Sequence, residues 1–201
     1  MNPFLALLAA YLLGAIPFGY LLVKWKTGAD VRSSGSGNIG ATNVLRTTGR
    51  VAGVLTLLLD IGKGYLAVWL AGKLTLHNPL WMSAAALAVM AGHAYPVFLR
   101  FQGGKAVACF VGAFFCLTPL PLIAVLVVFS GVVLATGHIS MGSIVAAATF
   151  PLAVWLILQP PLPMVAASIL AGVFIICKHS SNIRRLHDGS EHEFRFGDRN
   201  P

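Results

Sequence analysis

Long uninterrupted apolar runs constrain this 201-residue chain more than any other feature. They cover about residues 3–23, 51–72, 80–99, 106–118, 120–135, 141–158 and 164–178. A helix rises about 1.5 Å per residue, so a run of about 20 apolar residues crosses the hydrocarbon of a bilayer. No water reaches backbone amides and carbonyls there, and a helix satisfies its own. Composition agrees. The chain is 57% hydrophobic and only 10% charged, against roughly 25% charged in soluble domains, and its mean hydropathy is +0.82. An ordinary soluble enzyme, a disordered chain and a DNA-binding domain are excluded. The expected fold is all-α: a polytopic integral membrane helical bundle of about seven transmembrane helices, in a single domain over residues 1–201.

Charge placement gives the orientation. With seven spans, segments 24–50, 100–105, 136–140 and the tail from Lys178 share one side and hold twelve of the fourteen Lys and Arg residues. The positive-inside rule then puts the N-terminus outside and the C-terminus in the cytoplasm. The fourth and fifth runs are short and separated by Thr118-Pro119-Leu120-Pro121. Two tilted spans or a re-entrant pair keep this parity; one fused helix would send the basic tail outside and is rejected. The first run lacks a basic region before it, so it reads as a retained span rather than a cleaved signal. Cys109, Cys116 and Cys177 lie in apolar runs without C-x-x-C spacing, which argues against a disulfide framework or a zinc site. The net charge of +8 suits anionic headgroups or an anionic substrate. Residues 188–201 form a polar cytoplasmic tail.

Polar sequence therefore concentrates in three cytoplasmic segments. The first, residues 34–46, is Ser-Gly-Ser-Gly-Asn-Ile-Gly-Ala-Thr-Asn-Val-Leu-Arg. Glycines allow successive amides to converge on an anion, and a helix starting near Thr42 would add its positive end. Ser36, Gly37, Asn38, Thr42, Asn43 and Arg46 are the candidate phosphate-binding residues here. A flexible loop with an Asn or Thr helix cap is the plainer reading. Gly35-x-Gly37-x-x-Gly40 matches the dinucleotide fingerprint by letter, but it follows a membrane helix rather than a strand. Gly35 and Gly40 have P-loop spacing, but Ala41-Thr42 stands where Lys-Ser/Thr belongs.

The second segment runs from Gly92-His93 to Gly103-Gly104-Lys105. A diglycine with lysine before a helix is a candidate oxyanion cradle, and a tight turn with a snorkelling lysine is the alternative. His93 either joins the site or only braces the Pro96 turn. The third segment begins Lys178-His179-Ser180-Ser181-Asn182. If the last helix continues, Lys178, His179, Asn182 and Arg185 share a face. Arg184 and Arg185 read as a basic collar, His179 and Asn182 as functional. Ser140 and Ser143 either cap the sixth span or face the same cavity. Asp60 and Lys63, at i and i+3, read as a structural ion pair, with a proton or ion relay as the alternative.

Carboxylates are scarce on this face, so phosphate binding fits better than Mg²⁺ coordination. No metal-ligand cluster is evident and no cofactor is expected. None of the six histidines has Asp five residues on, so the His-x-x-x-x-Asp pair of soluble-type glycerolipid acyltransferases is absent.

The three segments, together with Leu59-Asp60-x-x-Lys63-Gly64 and a third motif extending through Arg185, Leu186, Gly189 and Glu191, resemble the bacterial membrane glycerol-3-phosphate acyltransferases that use acyl phosphate, the PlsY family. The resemblance covers nearly the whole chain. It implies seven spans in the bacterial cytoplasmic membrane with the active site facing the cytoplasm. It implies transfer of a fatty acyl group from acyl phosphate to the 1-hydroxyl of sn-glycerol 3-phosphate, giving lysophosphatidic acid and inorganic phosphate. It further implies a transient encounter with the soluble enzyme that makes acyl phosphate. On that basis Ser36, Arg46 and Lys105 are expected to bind phosphate, helped by the amides of Gly37 and Gly104, with Gly103, Lys178, Ser140, Ser143 and His93 lining the site. His179 and Asn182 are expected to orient or polarise the hydroxyl. Ser36, Lys105, His179 and Asn182 are the expected catalytic set. The competing classes are a transporter of a small phosphorylated anion, for which no inverted repeat is visible, and a lipid-binding protein without turnover.

Overall fold

The computed structural model describes residues 3–193; residues 194–201 of the expected tail lie outside them. Ten α-helices make up the described residues, and no strand occurs among them. They form two compact units, one ending at Leu117 and the other beginning at Thr118.

The first unit contains α1 (Pro3–Ala15), α2 (Phe18–Thr27), α3 (Ala41–Thr48), α4 (Arg50–Leu74), α5 (Pro79–Ala94) and α6 (Val107–Leu117). The first apolar run is thus two helices broken at Ile16-Pro17, because proline has no amide to continue the ladder. The break exposes the Ile16 carbonyl, and Lys63 Nζ donates to it at 2.7 Å. The same ammonium pairs with Asp60 Oδ1 at 2.8 Å, with both side chains buried. The i, i+3 pair is therefore a structural ion pair that also closes a helix break.

Glycines set how closely the helices pack. A Cβ added to Gly64 of α4 would strike the Cys109 carbonyl of α6, and one added to Gly112 of α6 would strike the Ile61 carbonyl of α4. Gly14 of α1 and Gly92 of α5 meet each other's helix backbone in the same reciprocal way, at Val89 and Tyr11. Apolar helices in a membrane gain from such close backbone approach because lipid offers no hydrophobic drive to associate.

The second unit contains α7 (Pro119–Thr136), α8 (Ile139–Leu158), α9 (Leu162–Lys178) and α10 (Ser180–His187). Pro119 starts α7 as an N-terminal helix proline. α6 and α7 are thus separate helices broken at Thr118, not one fused helix. In this unit Gly172 of α9 lies against the Ala147 carbonyl of α8.

Each of the seven apolar runs contains helix. Five segments are long and apolar enough to cross a bilayer: Pro3–Thr27, Arg50–Leu74, Pro79–Leu99, Pro119–Thr136 and Ile139–Leu158. A sixth follows if α9 and α10, bent by 56° at their junction, count as one. α6 has only 11 residues. At about 1.5 Å per residue it falls well short of the roughly 30 Å hydrocarbon core.

The close approach of α4 and α6 predicts a contrast within one helix. Gly64→Ala puts its methyl into backbone that cannot yield, and should cost about 1–3 kcal/mol. Gly62 has open space around it, so Gly62→Ala should be neutral or slightly stabilising. Thermal melting of both variants in detergent checks this: only Gly64→Ala should melt below the unmodified protein.

Candidate functional site

The first loop is organised by one buried side chain. Asn43 in α3 is 2% exposed. Its Oδ1 accepts the Ser36 amide at 2.9 Å. Its Nδ2 donates to the carbonyls of Asn38 at 2.8 Å, Ser34 at 3.1 Å and Val31 at 3.3 Å. Asn38 Oδ1 accepts the Gly40 amide at 2.8 Å, closing an Asx turn. Beneath the loop, Val31, Ile39, Val44, Val23, Ala52 and Leu99 form a buried apolar cluster. A chain with few regular hydrogen bonds is thereby fixed from both sides.

This corrects two expectations. Asn43 is not placed to contact phosphate, because its amide group is engaged by the loop. Nor does the Gly37 amide converge on an anion: it donates to the Ser34 carbonyl at 3.1 Å. Gly37 serves the turn instead, at φ +69, a conformation glycine adopts without strain. α3 begins at Ala41 with Gly40 at its N-cap and no side-chain cap, so the cap reading fails as well. Ser36, Thr42 and Arg46 are exposed, and Arg46 is in no ion pair among the described residues. Asp30 is engaged elsewhere. Its carboxylate accepts from the Arg32 guanidinium at 2.6 Å and from the Arg32 amide at 2.9 Å, and these bonds hold its pKa below the ordinary value.

The second segment packs on His93. The ring is 4% exposed. The Gly104 amide donates to the His93 carbonyl at 3.1 Å, which corrects the expectation that this amide faces phosphate. A Cβ on Gly104 would overlap the His93 ring, and one on Gly103 would meet the His93 carbonyl and the Pro96 ring. The diglycine is therefore required for close packing. His93 lies behind the turn rather than in an open cavity. Lys105 follows, partly buried, just before α6. The donor atoms of Asp60, His93 and Cys109 lie within 4.8 Å of one another, a grouping the sequence did not reveal. The Lys63 ammonium, 2.8 Å from Asp60, already supplies positive charge there and opposes a second cation. The three cysteines are free thiols.

A cavity of about 380 Å³ opens in this unit between Tyr20, Arg32, Phe98, Leu99, Arg100 and Gln102. None of the residues singled out from the sequence lines it.

The third segment lies in the second unit. Helix α9 ends at Lys178 and α10 begins at Ser180, so the expected continuous face is bent at His179. His179 is 3% exposed, and its Nδ1 lies 2.8 Å from the Ile175 carbonyl. A carbonyl can only accept, so Nδ1 carries a proton.

Glu191 gathers the rest. Oε1 accepts from Asn182 Nδ2 at 2.5 Å and from Ser140 Oγ at 2.8 Å, and Oε2 accepts from Arg185 Nε at 2.6 Å. Burial works against the charged carboxyl, but the bonds from Asn182, Ser140 and Arg185 outweigh it and hold its pKa below the ordinary glutamate value. Arg185 is thus more than a collar residue. Ser140 does not cap α8, and neither does Ser143, whose hydroxyl donates to the Ile139 carbonyl at 2.9 Å. With these hydroxyl protons engaged, neither serine stands ready as a phosphate donor. The third motif included Glu191, but the sequence assigned it no role.

The comparisons with known proteins agree in kind. The family model for glycerol-3-phosphate acyltransferase matches residues 4–189. A protein of Geobacter sulfurreducens named glycerol-3-phosphate acyltransferase is 45% identical over 97% of this chain and 99% of its own length. One of that name from Syntrophotalea carbinolica is 45% identical over 96% of this chain and 97% of its own. The crystal structure of PlsY (YgiH), an integral membrane glycerol 3-phosphate acyltransferase, in its glycerol 3-phosphate form superposes with a TM-score of 0.92 at 37% identity, covering 97% of this chain and 96% of that one. Its lysophosphatidic acid form gives a TM-score of 0.88 at 35% identity. A multi-pass, all-helical membrane chain matched almost end to end in both sequence and structure belongs to the glycerol-3-phosphate acyltransferase family.

Proposed function

We propose that this protein transfers a fatty acyl group from acyl phosphate to the 1-hydroxyl of sn-glycerol 3-phosphate, releasing lysophosphatidic acid and inorganic phosphate. The observation that carries the proposal is the likeness, over 97% of the chain, to an integral membrane enzyme known in a glycerol 3-phosphate form and a lysophosphatidic acid form. The whole chain works as one acyltransferase. Its N-terminus is outside and its basic loops face the cytoplasm, consistent with twelve of the fourteen Lys and Arg residues on one side. Its place is the bacterial cytoplasmic membrane, where a soluble acyl-phosphate-forming enzyme meets it transiently. The transporter reading has no observation in its favour.

The chemistry follows from the substrates and the side chains. Acyl phosphate is already an activated mixed anhydride, so no covalent enzyme nucleophile is needed. The hydroxyl oxygen bonds to the acyl carbon, the bond from that carbon to the phosphate oxygen breaks, and phosphate departs with the electron pair. Ser36, Arg46 and Lys105 bind phosphate and stabilise the charge it gains on leaving. The loop amides of Gly37 and Gly104 are engaged internally, so cationic and hydroxyl side chains carry this role. Nε2 of His179 accepts the proton of the attacking hydroxyl, or hydrogen-bonds it while a substrate phosphate accepts. Asn182, held by Glu191, orients the same hydroxyl. Thr42, Asn38 and Lys178 complete the binding surfaces. Holding two reactants in register supplies much of the rate in such a reaction.

The reaction is tested with purified protein, radiolabelled glycerol 3-phosphate and palmitoyl phosphate without added metal, beside palmitoyl-CoA as a parallel donor. Labelled lysophosphatidic acid should form from the acyl phosphate alone; no product from folded protein would refute the assignment. Lys105→Ala should lower kcat/KM by about a hundredfold or more. His179→Ala should lower kcat by roughly 10²–10⁴-fold in protein that remains folded. Normal turnover in folded His179→Ala would remove its role.

The Glu191 cluster predicts an acid-sensitive contribution to stability. A carboxyl whose folded-state pKa is depressed contributes its stability above the ordinary glutamate value and loses it as pH falls through the lower folded value. Glu191→Gln should therefore melt lower than the unmodified protein at neutral pH. Its melting temperature should also fall less steeply on acidification. Parallel acid slopes for the two proteins would contradict the cluster's role.

A further inference from the structure

The turn from Arg100 to Ala106 is held in a conformation it would not adopt alone. Arg100 (φ 52), Phe101 (φ 62) and Ala106 (φ 61) all have left-handed backbone without being glycine, which persists only where the surroundings impose it. Gly103 and Gly104 between them lie against His93, at the last turn of α5. The Gly104 amide is tied to the His93 carbonyl, and a Gly104 side chain would overlap the imidazole next to Nε2. The other ring nitrogen, Nδ1, is buried without a hydrogen-bond partner among the described residues. It faces Asp60 Oδ1 at 3.6 Å. Asp60 is fixed in turn by Lys63, whose ammonium bridges to the Ile16 carbonyl.

We propose that His93 is a positioning residue: its buried ring is the template that shapes the diglycine turn and thereby aims Lys105. The proposal rests on the reading that Lys105 binds a substrate phosphate. The ring fixes the turn, and only the absence of a Cβ at Gly104 lets the two meet. No contact of His93 with substrate is needed.

A double-mutant cycle on KM tests the template. His93→Ala and Gly104→Ala should each raise the KM of one phosphate substrate about tenfold, with kcat changed less. His93→Ala removes the ring that the Gly104→Ala methyl strikes, so the double variant should show a KM well below the product of the two single effects. Multiplying effects would overturn the proposal. His93→Asn keeps part of the planar bulk against Gly104 and should recover part of the KM lost in His93→Ala. It also provides a second reading should His93→Ala fail to fold, because multiplying effects of folded His93→Asn and Gly104→Ala would equally overturn the proposal. Lys105→Ala in the same assay separates the two claims. If Lys105→Ala is impaired while folded His93→Ala and His93→Asn have unmodified KM for both substrates, the positioning role fails alone. If Lys105→Ala is itself unimpaired, the underlying phosphate assignment fails.

Discussion

In hydrocarbon, a backbone carbonyl without a partner has no water to turn to. The helices of this protein meet that demand along their lengths, so the informative places are where they break. At the Pro17 break the Ile16 carbonyl, which also accepts the Phe18 amide, takes the Lys63 ammonium. Beyond the end of α5 the Tyr95 carbonyl takes the Tyr11 hydroxyl at 2.8 Å. At the bend between α9 and α10 the Ile175 carbonyl takes His179 Nδ1. Each break recruits a polar side chain for a structural reason, and Lys63 has a second role in pairing with Asp60.

The loops obey the same accounting. Asn43 in the first unit and Glu191 in the second each bind three or more nearby polar groups. The result is rigid irregular backbone whose amides are turned inward. A glycine-rich loop invites comparison with amide nests that bind anions, but here the glycines permit packing and turning. Under the proposed reading, phosphate recognition is assigned to the side chains of Ser36, Arg46 and Lys105 rather than to loop amides. Preorganisation of that kind suits transfer from an already activated donor.

Much of this was legible in the sequence. Apolar run length gave the helices, because that signal is local. The Asp60–Lys63 pair was legible for the same reason, lying one turn apart on one helix. The bend at His179 was not, since nothing between Lys178 and Asn182 breaks a helix by composition. Gly37 and Gly104 were misread because a glycine amide looks the same in sequence whether it points outward or inward, whereas Asn43, expected to shape the pocket with Asn38 and Thr42, holds the loop. Ser140 reads as a helix cap until Glu191, 51 residues later, claims its hydroxyl. The packing of His93 on Gly104 joins two separate segments, and no local pattern encodes it.

The most direct measurement places a heavy-oxygen label on the 1-hydroxyl of glycerol 3-phosphate and follows it by mass spectrometry through turnover of purified protein with acyl phosphate. Attack of that hydroxyl on the acyl carbon predicts the label in the ester of lysophosphatidic acid, one unlabelled phosphate released per ester formed, and loss of both products together in Lys105→Ala. Phosphate released without ester, or ester lacking the label, would contradict the account.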